Sequence, residues 1–247
     1  MRIKINCDIG ESFGVCERGN NEEIMPYPDL ANLACGFHAS DVKTINKVVL
    51  LAKKNDVIIG AHPSYQEILS FGGRSIPYTK NEIINIILYQ LGALNAFCLR
   101  HDTQISYVKP HGGLYSDMMK NEDIFKEVLT AIKFFDSSLN LMILSTLNND
   151  YYKKIAKEFN IKLLFEVFLD RHYNNDGTLV SREDSNSVIN DEDEIIQRIK
   201  LLKEFKYIKT IKGKKLYIDV DSVCIHSENK EALKFIKIAK DVLDDKV

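Results

Sequence analysis

The chain has 247 residues, of which 45% are hydrophobic, so it is long enough to bury a large core within a single domain over residues 1–247. Its 33 basic and 35 acidic residues are spread along the chain and give a formal net charge of -2. This balance leaves no basic stripe for nucleic acid or for an anionic membrane, so we expect neither partner. The N-terminus lacks the layout of a signal peptide, and no run reaches the roughly 18 consecutive apolar residues of a membrane helix. These features predict a cytoplasmic protein that acts on a small molecule.

Short apolar runs alternate with longer segments of helical pattern along the chain. Seven runs are predicted as strands: residues 3–7, 31–37, 57–61, 105–109, 141–145, 163–168 and 217–225. The clearest helix is predicted over residues 79–100, where Thr79 and Glu82 have the spacing of a capping box. Further helices are predicted to begin near residues 40–41, 121–123 and 190–194, and after residues 148 and 227. A hairpin is predicted over residues 207–217.

This order of elements predicts an α/β fold in which a parallel sheet closes into a seven-stranded, TIM-like (β/α) barrel. An open, doubly wound sheet is the alternative. No Gly-x-Gly-x-x-Gly opens the first helix and no G-x-x-x-x-G-K-[ST] occurs in the sequence, which disfavours the dinucleotide-binding and P-loop forms of that alternative.

Five cysteines occur at irregular spacing without a C-x-x-C pair, which argues against a disulfide framework or a structural zinc site. Cys7, Cys35 and Cys224 lie within three residues of polar motifs, so a Cys/His nucleophilic pair is an alternative. A small buried thiol near a strand end is the commoner role, and we expect reduced thiols.

Four of the six histidines follow predicted strands: His38, His62, His111 and His226. The carboxyl ends of the strands share the active-site face of a β/α barrel, so we expect these side chains to converge. One histidine at a strand end is more often a hydrogen-bonded turn residue than a catalyst. The prediction of a site therefore depends on the four together.

The first and sixth strands also lead into polar residues, within the segments NCDIGE and EVFLDRHY. These residues are Asn6, Asp8 and Glu11 at the first strand, and Glu166, Asp170 and Arg171 around the sixth. A carboxylate beside an apolar strand is costly to bury unless it has a function, which makes Asp8 a candidate. Arg171 could bind a substrate carboxylate or phosphate, or could neutralise Asp170, and the sequence leaves both open.

Residues 109–113, with the sequence KPHGG, form the most specific local motif. Pro110 restricts Lys109 to an extended conformation, and the two glycines allow backbone to approach a ligand closely. These properties indicate a binding loop. The alternative is a simple strand-exit turn with a lysine that faces solvent.

The segments NCDIGE, ACGFHA, GAHPSY, VKPHGGLY, EVFLDRHY with DGTLVSR after it, and VCIH occur in this order over residues 3 to about 230. Together they resemble the LamB/YcsF family. The resemblance implies a barrel like those of the glycoside hydrolase/deacetylase superfamily. It also implies ATP-dependent 5-oxoprolinase activity, in which two partner subunits join in opening 5-oxo-L-proline to L-glutamate.

Hydrolysis of a lactam needs activation of the carbonyl, a base for water and an acid for the leaving nitrogen. ATP can activate the carbonyl by phosphorylating its oxygen, and the lack of a Walker motif leads us to expect that the partner subunits mainly handle ATP. Asp8 or Asp170 is the candidate base, His111 the acid, and Lys109 the group that stabilises the phosphorylated oxygen. The other candidates are expected to bind the substrate, with Arg171 on its carboxylate: Asn6, Glu11, His38, His62, Arg171 and His226.

Two alternatives remain. Asp8, His38 and His62 could hold a divalent metal ion that activates water, as an Asp and two His do in the deacetylase superfamily, although the usual histidines four apart are missing here. The chain could also be a non-catalytic paralogue that binds a lactam or a carbohydrate, because neighbours of several motifs depart from the family pattern. The number of ionisable groups predicted at one face favours an enzyme.

Overall fold

The computed structural model describes residues 2–14, 19–227 and 231–245. Its strands in chain order are β1 (Lys4–Ile9), β2 (Leu30–Ala34), β3 (Ile58–His62), β4 (Ile105–Val108), β5 (Asn140–Leu144), β6 (Leu163–Phe168), β7 (Tyr207–Lys209), β8 (Lys215–Tyr217) and β9 (Ser222–Ile225). Strands β1 to β6 and β9 are parallel and close into a barrel, because β9 pairs with both β6 and β1. The predicted seven-stranded β/α barrel is confirmed.

The helices surround this barrel. They are α1 (Asn21–Ile24), α2 (Val42–Lys54), α3 (Lys80–Arg100), α4 (Gly112–Met118), α5 (Glu122–Asp136), α6 (Asn149–Glu158), α7 (Glu192–Phe205) and α8 (Ala232–Leu243). The capping box predicted from Thr79 and Glu82 is formed at the start of α3. The short helices α1 and α4 were not predicted, and α4 begins at the first glycine of KPHGG, where a loop was expected.

Three predicted strands end or begin in the wrong place. The first strand continues to Ile9, beyond its predicted end at Cys7. The second strand stops at Ala34 because Gly36 takes a φ of +95° and turns the chain. The seventh predicted strand is two separate strands: Tyr217 ends β8, and β9 begins at Ser222. Strands β7 and β8 form the predicted hairpin, which is antiparallel and lies outside the barrel sheet.

Helix α3 is, within the described ranges, the one helix long and apolar enough by composition to cross a membrane. It packs against α5 and buries Ile83, Ile87 and Leu91 on one face. This packing is that of a barrel helix. The cytoplasmic location stays a prediction.

The barrel interior is layered, because alternate residues of each strand point inward. Leu30, Tyr107 and Met142 form a small apolar cluster inside the barrel. Two residues further along β2 and β4, the buried side chains are Asn32 and Lys109. The interior therefore changes from apolar to polar toward the carboxyl ends of the strands.

The Tyr107 ring occupies space that is free only because residue 60 is a glycine without a side chain. The two residues are paired across β3 and β4, and a Cβ atom at position 60 would lie 2.2 Å from the ring. No side chain larger than hydrogen fits there without moving the ring. Tyr107 in turn donates a hydrogen bond of 2.6 Å from its hydroxyl to Asn32 Oδ1, so the ring links the apolar cluster to the polar layer.

The substitution Gly60→Ala is expected to lower the free energy of unfolding by about 1–3 kcal/mol, because the added methyl group overpacks the barrel. Urea unfolding followed by circular dichroism measures it. Gly92→Ala is the control, since Gly92 lies in helix α3 with nothing within 4 Å of an added Cβ. It is expected to stabilise by about 0.5–1 kcal/mol. Equal effects of the two substitutions would contradict the role of Gly60 in the packing.

Candidate active site

A lysine ammonium group lies inside the barrel between two carboxylates. Lys109 is 2% exposed, and its Nζ is 3.0 Å from Asp8 Oδ1 and 3.0 Å from Glu166 Oε2. Burial lowers the pKa of Lys109, but the charges of Asp8 and Glu166 outweigh it and hold the pKa well above its usual value. Lys109 therefore carries its charge in the barrel interior.

Neutral groups complete the hydrogen bonds of these two carboxylates. Asn32 Nδ2 donates to Asp8 Oδ1 over 2.7 Å. Asn6 Nδ2 donates to Glu166 Oε2 over 3.2 Å, and the Tyr115 hydroxyl donates to Glu166 Oε1 over 2.8 Å. Such contacts replace the water that a buried carboxylate loses. Asn6 is thus a member of this buried network and is fully buried.

Asp8 lies within β1, although it had been expected after the strand. Its burial raises its pKa, yet Lys109 and His62 lower the pKa more, so that it stays well below the usual value of a carboxyl group. Lys109 had been predicted to contact the substrate oxygen. The structure instead places its ammonium group against Asp8, where it keeps that carboxylate ionised and in position.

Three of the four strand-end histidines converge, as predicted. The rings of His38 and His111 stack with centroids 3.9 Å apart, and the His62 ring lies edge-on to both. Glu11 Oε1 is 3.5 Å from both His38 Nε2 and His111 Nδ1. Burial, followed by the neighbouring histidines, holds the pKa values of His38 and His111 well below their usual range, so both rings are neutral at neutral pH.

Backbone carbonyl groups fix two of these rings. His62 Nδ1 is 2.6 Å from Lys109 O, and His111 Nε2 is 2.9 Å from Phe71 O. Because a carbonyl oxygen only accepts hydrogen bonds, each of these nitrogens carries the ring proton. The other nitrogens, His62 Nε2 and His111 Nδ1, then face each other at 2.9 Å.

The residues that could hold a metal ion differ from the predicted set of Asp8, His38 and His62. In the described part of the chain, the group that offers ligand atoms all within 4.8 Å of one another is Glu11, His38, His62 and His111. Asp8 is engaged elsewhere, since its Oδ1 contacts Lys109 and Asn32.

The fourth strand-end histidine forms a separate pair. His226 Nδ1 lies 3.0 Å from both carboxylate oxygens of Asp170, and its ring stacks on Phe168 with centroids 5.0 Å apart. Burial lowers the pKa of His226, but Asp170 raises it above its usual value. Burial raises the pKa of Asp170, but the contact with His226 lowers it more, so that the pKa of Asp170 lies below its usual value. Asp170, predicted as a base, thus holds the ring of His226.

A cavity of about 340 Å³ opens beside these groups. It lies at the carboxyl ends of the strands, where a β/α barrel places its active site. Its polar lining residues are Asp8, Glu11, Ser70, His111, Arg182 and His226. Lys109, Asn6, His38 and His62 are buried and do not line it.

Arg171 is occupied by the loop that follows β6. Its Nε donates to Ser187 O over 3.1 Å, and its Nη2 donates to Val180 O over 2.7 Å. The arginine that lines the cavity is Arg182, which belongs to this same loop. The predicted contact of Arg171 with a substrate carboxylate is therefore better matched by Arg182, which ends the segment DGTLVSR and was not predicted.

The glycines of KPHGG were expected to allow close approach to a ligand. In the structure they instead allow close approach to another loop. A Cβ at Gly112, whose φ is +54°, would lie 2.3 Å from Gly72 O, and one at Gly113 would lie 2.3 Å from Arg74 O. Gly113 N–H donates to Gly72 O over 2.7 Å. The two glycines therefore fix residues 72–74 against the start of α4, beside the cavity.

The four cysteines among the described residues are free thiols, as predicted. Cys7, Cys35, Cys98 and Cys224 are free and buried, and Cys16 lies outside the described residues. Burial raises the pKa of Cys35 to about 12 and that of Cys98 to about 11, and it raises those of Cys7 and Cys224 well above the usual value. Neutral thiols of this kind are poor nucleophiles, which disfavours the Cys/His alternative.

Five side chains of the interior had no predicted role in the site: Asn32, Tyr107, Tyr115, Glu166 and Ser222. Four of them lie inside predicted strands, where a polar residue within an apolar run is easily taken for part of the strand alone. The alternation of Asn6 with Asp8, and of Tyr107 with Lys109, was the available signal. Tyr115, on the unpredicted helix α4, carried no such signal.

Comparisons with known proteins find similar sequences over nearly the whole chain. Residues 3–247 match the LamB/YcsF family. A 5-oxoprolinase subunit of Vibrio vulnificus (strain CMCP6) is 44% identical over 237 residues, which cover 96% of this chain and 95% of that protein. The corresponding 5-oxoprolinase subunit of Pyrococcus horikoshii is 43% identical over 245 residues, covering 99% of this chain and 95% of that protein.

Two solved structures are similar to the barrel. The crystal structure of the lactam utilization protein from Thermus thermophilus has a TM-score of 0.91 at 31% identity, covering 100% of this chain and 97% of that chain. A GH113 β-1,4-mannanase has a TM-score of 0.56 at 10% identity, covering 99% of both chains, which shows a shared fold alone.

The pairing of His226 with Asp170 gives a testable dependence of stability on pH. Because the folded protein raises the pKa of His226, the pair stabilises the fold fully below the usual histidine value near 6.5. That contribution is lost as pH rises through the raised value. The charge of Asp8 also raises the pKa of His226, whereas the charge of Arg182 lowers it.

We therefore expect the difference in unfolding free energy between wild type and His226→Gln to be largest below about pH 6.5 and to shrink at alkaline pH. Urea unfolding from about pH 6 to mildly alkaline pH measures this difference, and NMR titration of the ring provides an independent check. A difference that grows with pH would show that His226 is buried as the neutral ring.

Proposed function

The chain belongs to the LamB/YcsF family, and we propose that it is the subunit of an ATP-dependent 5-oxoprolinase that opens the lactam of 5-oxo-L-proline to give L-glutamate. Relatives more than 40% identical over nearly the whole chain are named as one subunit of a 5-oxoprolinase. The observation that carries the proposal is one cavity lined by an ionised carboxylate, Asp8, and by His226, whose Nδ1 contacts Asp170 behind it.

ATP and two partner subunits belong to this proposal. The names of the relatives imply an enzyme of several subunits. The sequence has no Walker motif, and the described lining of the cavity holds two carboxylates and one arginine, which suits a small lactam better than a triphosphate. We infer that the partners carry the nucleotide chemistry and that this chain opens the activated ring.

His226 is the residue best suited to transfer protons in the cavity. Ring opening requires that water adds to the carbon that bears the phosphorylated oxygen, that the C–N bond breaks while the leaving nitrogen gains a proton, and that inorganic phosphate departs to leave the carboxylate of glutamate. Asp170 holds Nδ1 of His226, which leaves Nε2 to exchange a proton with water or with the nitrogen, as in other histidine–carboxylate pairs. Its raised pKa lies closer to neutrality than the depressed pKa of Asp8.

Asp8 and His111 take different roles from those predicted. A carboxylate whose pKa is held well below its usual value is a weak base, so Asp8 acts as a fixed negative charge that orients water and stabilises protonated His226. His111 donates its ring proton to Phe71 O, which leaves no proton for the departing nitrogen. We therefore assign proton transfer to His226.

The test is 5-oxoproline-dependent ATP hydrolysis and glutamate release, measured with this chain added to or omitted from its two partner subunits. Glutamate is expected only from the complete mixture. His226→Gln is expected to lower kcat by about 10²-fold or more, which is the usual contribution of a general acid or base. His172→Gln is the matched control, because His172 follows β6 but pairs with Glu194 outside the cavity.

The proposal is overturned if the folded wild-type chain, bound to its partners, releases no more glutamate than the mixture without it. A screen of lactams and acetylated sugars would follow. Full activity of His226→Gln would overturn the assignment of His226 alone.

Arg182 is expected to hold the substrate carboxylate at the cavity. A hydrogen bond to a charged group is worth about 1.5–3 kcal/mol, so Arg182→Ala should raise KM at least about tenfold with a smaller effect on kcat. Arg182→Lys should recover part of the loss, because it keeps the charge without the paired donors. Arg100→Ala, at the exposed end of α3, is the control. An unchanged KM in Arg182→Ala would assign carboxylate binding to another group.

A further inference from the structure

We propose that Glu11, His38, His62 and His111 form a binding site for one divalent transition-metal ion of the zinc class. Three imidazole nitrogens and one carboxylate oxygen are a donor set that suits Zn²⁺ and its neighbours in the first transition row. Metal binding would be a property of the chain alone and would not depend on the lactam reaction.

Two ring nitrogens of the cluster point at each other at short distance. Lys109 O and Phe71 O fix the protons of His62 and His111 on the nitrogens that face away from the cluster. The remaining nitrogens, His62 Nε2 and His111 Nδ1, point at each other over 2.9 Å. One ion placed beside this contact is within reach of both nitrogens.

The same hydrogen bonds are those of a metal site. A histidine that binds a metal ion usually donates its other N–H to a carbonyl or a carboxylate, which fixes the ring orientation. His62 and His111 both do so in this structure. The surroundings of the cluster therefore already hold two of the proposed ligands in the required tautomers.

His38 is buried without a hydrogen-bond partner for its ring. It is 1% exposed, and neither ring nitrogen has such a partner among the described residues. A buried imidazole without hydrogen bonds costs free energy, because both ring nitrogens lose their contacts with water. Its Nε2 lies 3.5 Å from Glu11 Oε1, on the side of the cluster, where an ion would be in reach of both.

The distances allow one ion to contact all four residues. Ligands at roughly 2.0–2.1 Å from a tetrahedral ion are about 3.3 Å apart. The ligand atoms of this cluster lie within 4.8 Å of one another, and the closest pair of nitrogens is separated by 2.9 Å. Side-chain adjustments of less than about 1 Å bring them to the tetrahedral spacing.

The cluster has a route of entry and a balanced charge. Glu11 and His111 line the cavity, so an ion can reach them from solvent. The negative charges of Glu11 and nearby Asp8 offset the charge of a divalent ion, with Asp8 Oδ2 placed 3.5 Å from His62 Nε2. When bound, such an ion would supply a positive charge at the wall of the cavity.

The first measurement uses the full chain, purified without a histidine tag, stripped with chelator and titrated with Co²⁺ or Zn²⁺. We expect one ion per chain, the visible absorption of four-coordinate Co²⁺, and a melting temperature that rises with metal concentration. In ¹⁵N NMR spectra, His62 Nε2 and His111 Nδ1 should shift on binding while the opposite nitrogens keep their protons.

Variants distinguish this site from adventitious binding. Loss of a group that merely orients a metal ligand typically weakens metal affinity by about 10–100-fold, so His62→Gln and Glu11→Gln should each weaken it at least as much. His172→Gln should bind as wild type does. Because a ligand variant can also unfold, each variant is first checked by circular dichroism, and the wild-type stoichiometry stands as an independent test.

The proposal is overturned if the stripped wild-type chain binds no Co²⁺ or Zn²⁺ at micromolar concentration. It is also overturned if folded His62→Gln and Glu11→Gln bind as tightly as wild type. NMR spectra that show a proton shared between His62 and His111 in the presence of excess metal would assign the close contact to an imidazolium ion instead.

Discussion

The ammonium group of Lys109 can remain charged inside the barrel only because Asp8 and Glu166 contact it there. Asp8 and Glu166 come from β1 and β6, and Lys109 directly follows β4, so the charge interaction spans the barrel and joins strands that are not neighbours. Removing Lys109 would leave two buried carboxylates without their cation, which costs far more stability than an apolar interior at the same place. The amide and hydroxyl groups around it are arranged to satisfy the same carboxylates.

The position of Lys109 also divides the carboxyl face of the barrel into two electrostatic regions. On one side His38, His62 and His111 lie close together, and burial keeps at least two of the rings neutral. On the other side, Asp170 raises the pKa of His226 above its usual value, which favours the protonated ring. The same residue type thus serves two chemical purposes a short distance apart, because its neighbours differ.

Much of the fold could be predicted from the sequence, because strand and helix patterns are local. The capping box at Thr79 and the apolar runs of the strands needed no information about distant residues. Helix α4 was missed since two glycines in a row are typical of a loop, and here they are required by the backbone of residues 72–74. That requirement comes from a contact between distant segments, which no local pattern records.

The site was predictable as a set of residues and less so as a set of roles. Strand-end positions identified Asp8, His111 and His226 as neighbours of one cavity. They did not show that Arg171 would be bound by backbone carbonyl groups while Arg182 faces the cavity, because that depends on how the loop after β6 folds back. Burial and hydrogen-bond partners decide the role, and both come from tertiary structure.

The closure of the sheet by β9 has a consequence for how the chain is made. Strand β9 follows the other barrel strands in the chain and is the partner of both β1 and β6, so these two strands keep open edges until β9 has left the ribosome. Unpaired edges of this kind invite pairing with other chains. Asp8 and His226, which flank the seam between β1 and β9, can border a common cavity only after that last strand is in place. The cavity is therefore among the last features of the molecule to form during synthesis, and a nascent chain that stops short of β9 would be an open sheet without it.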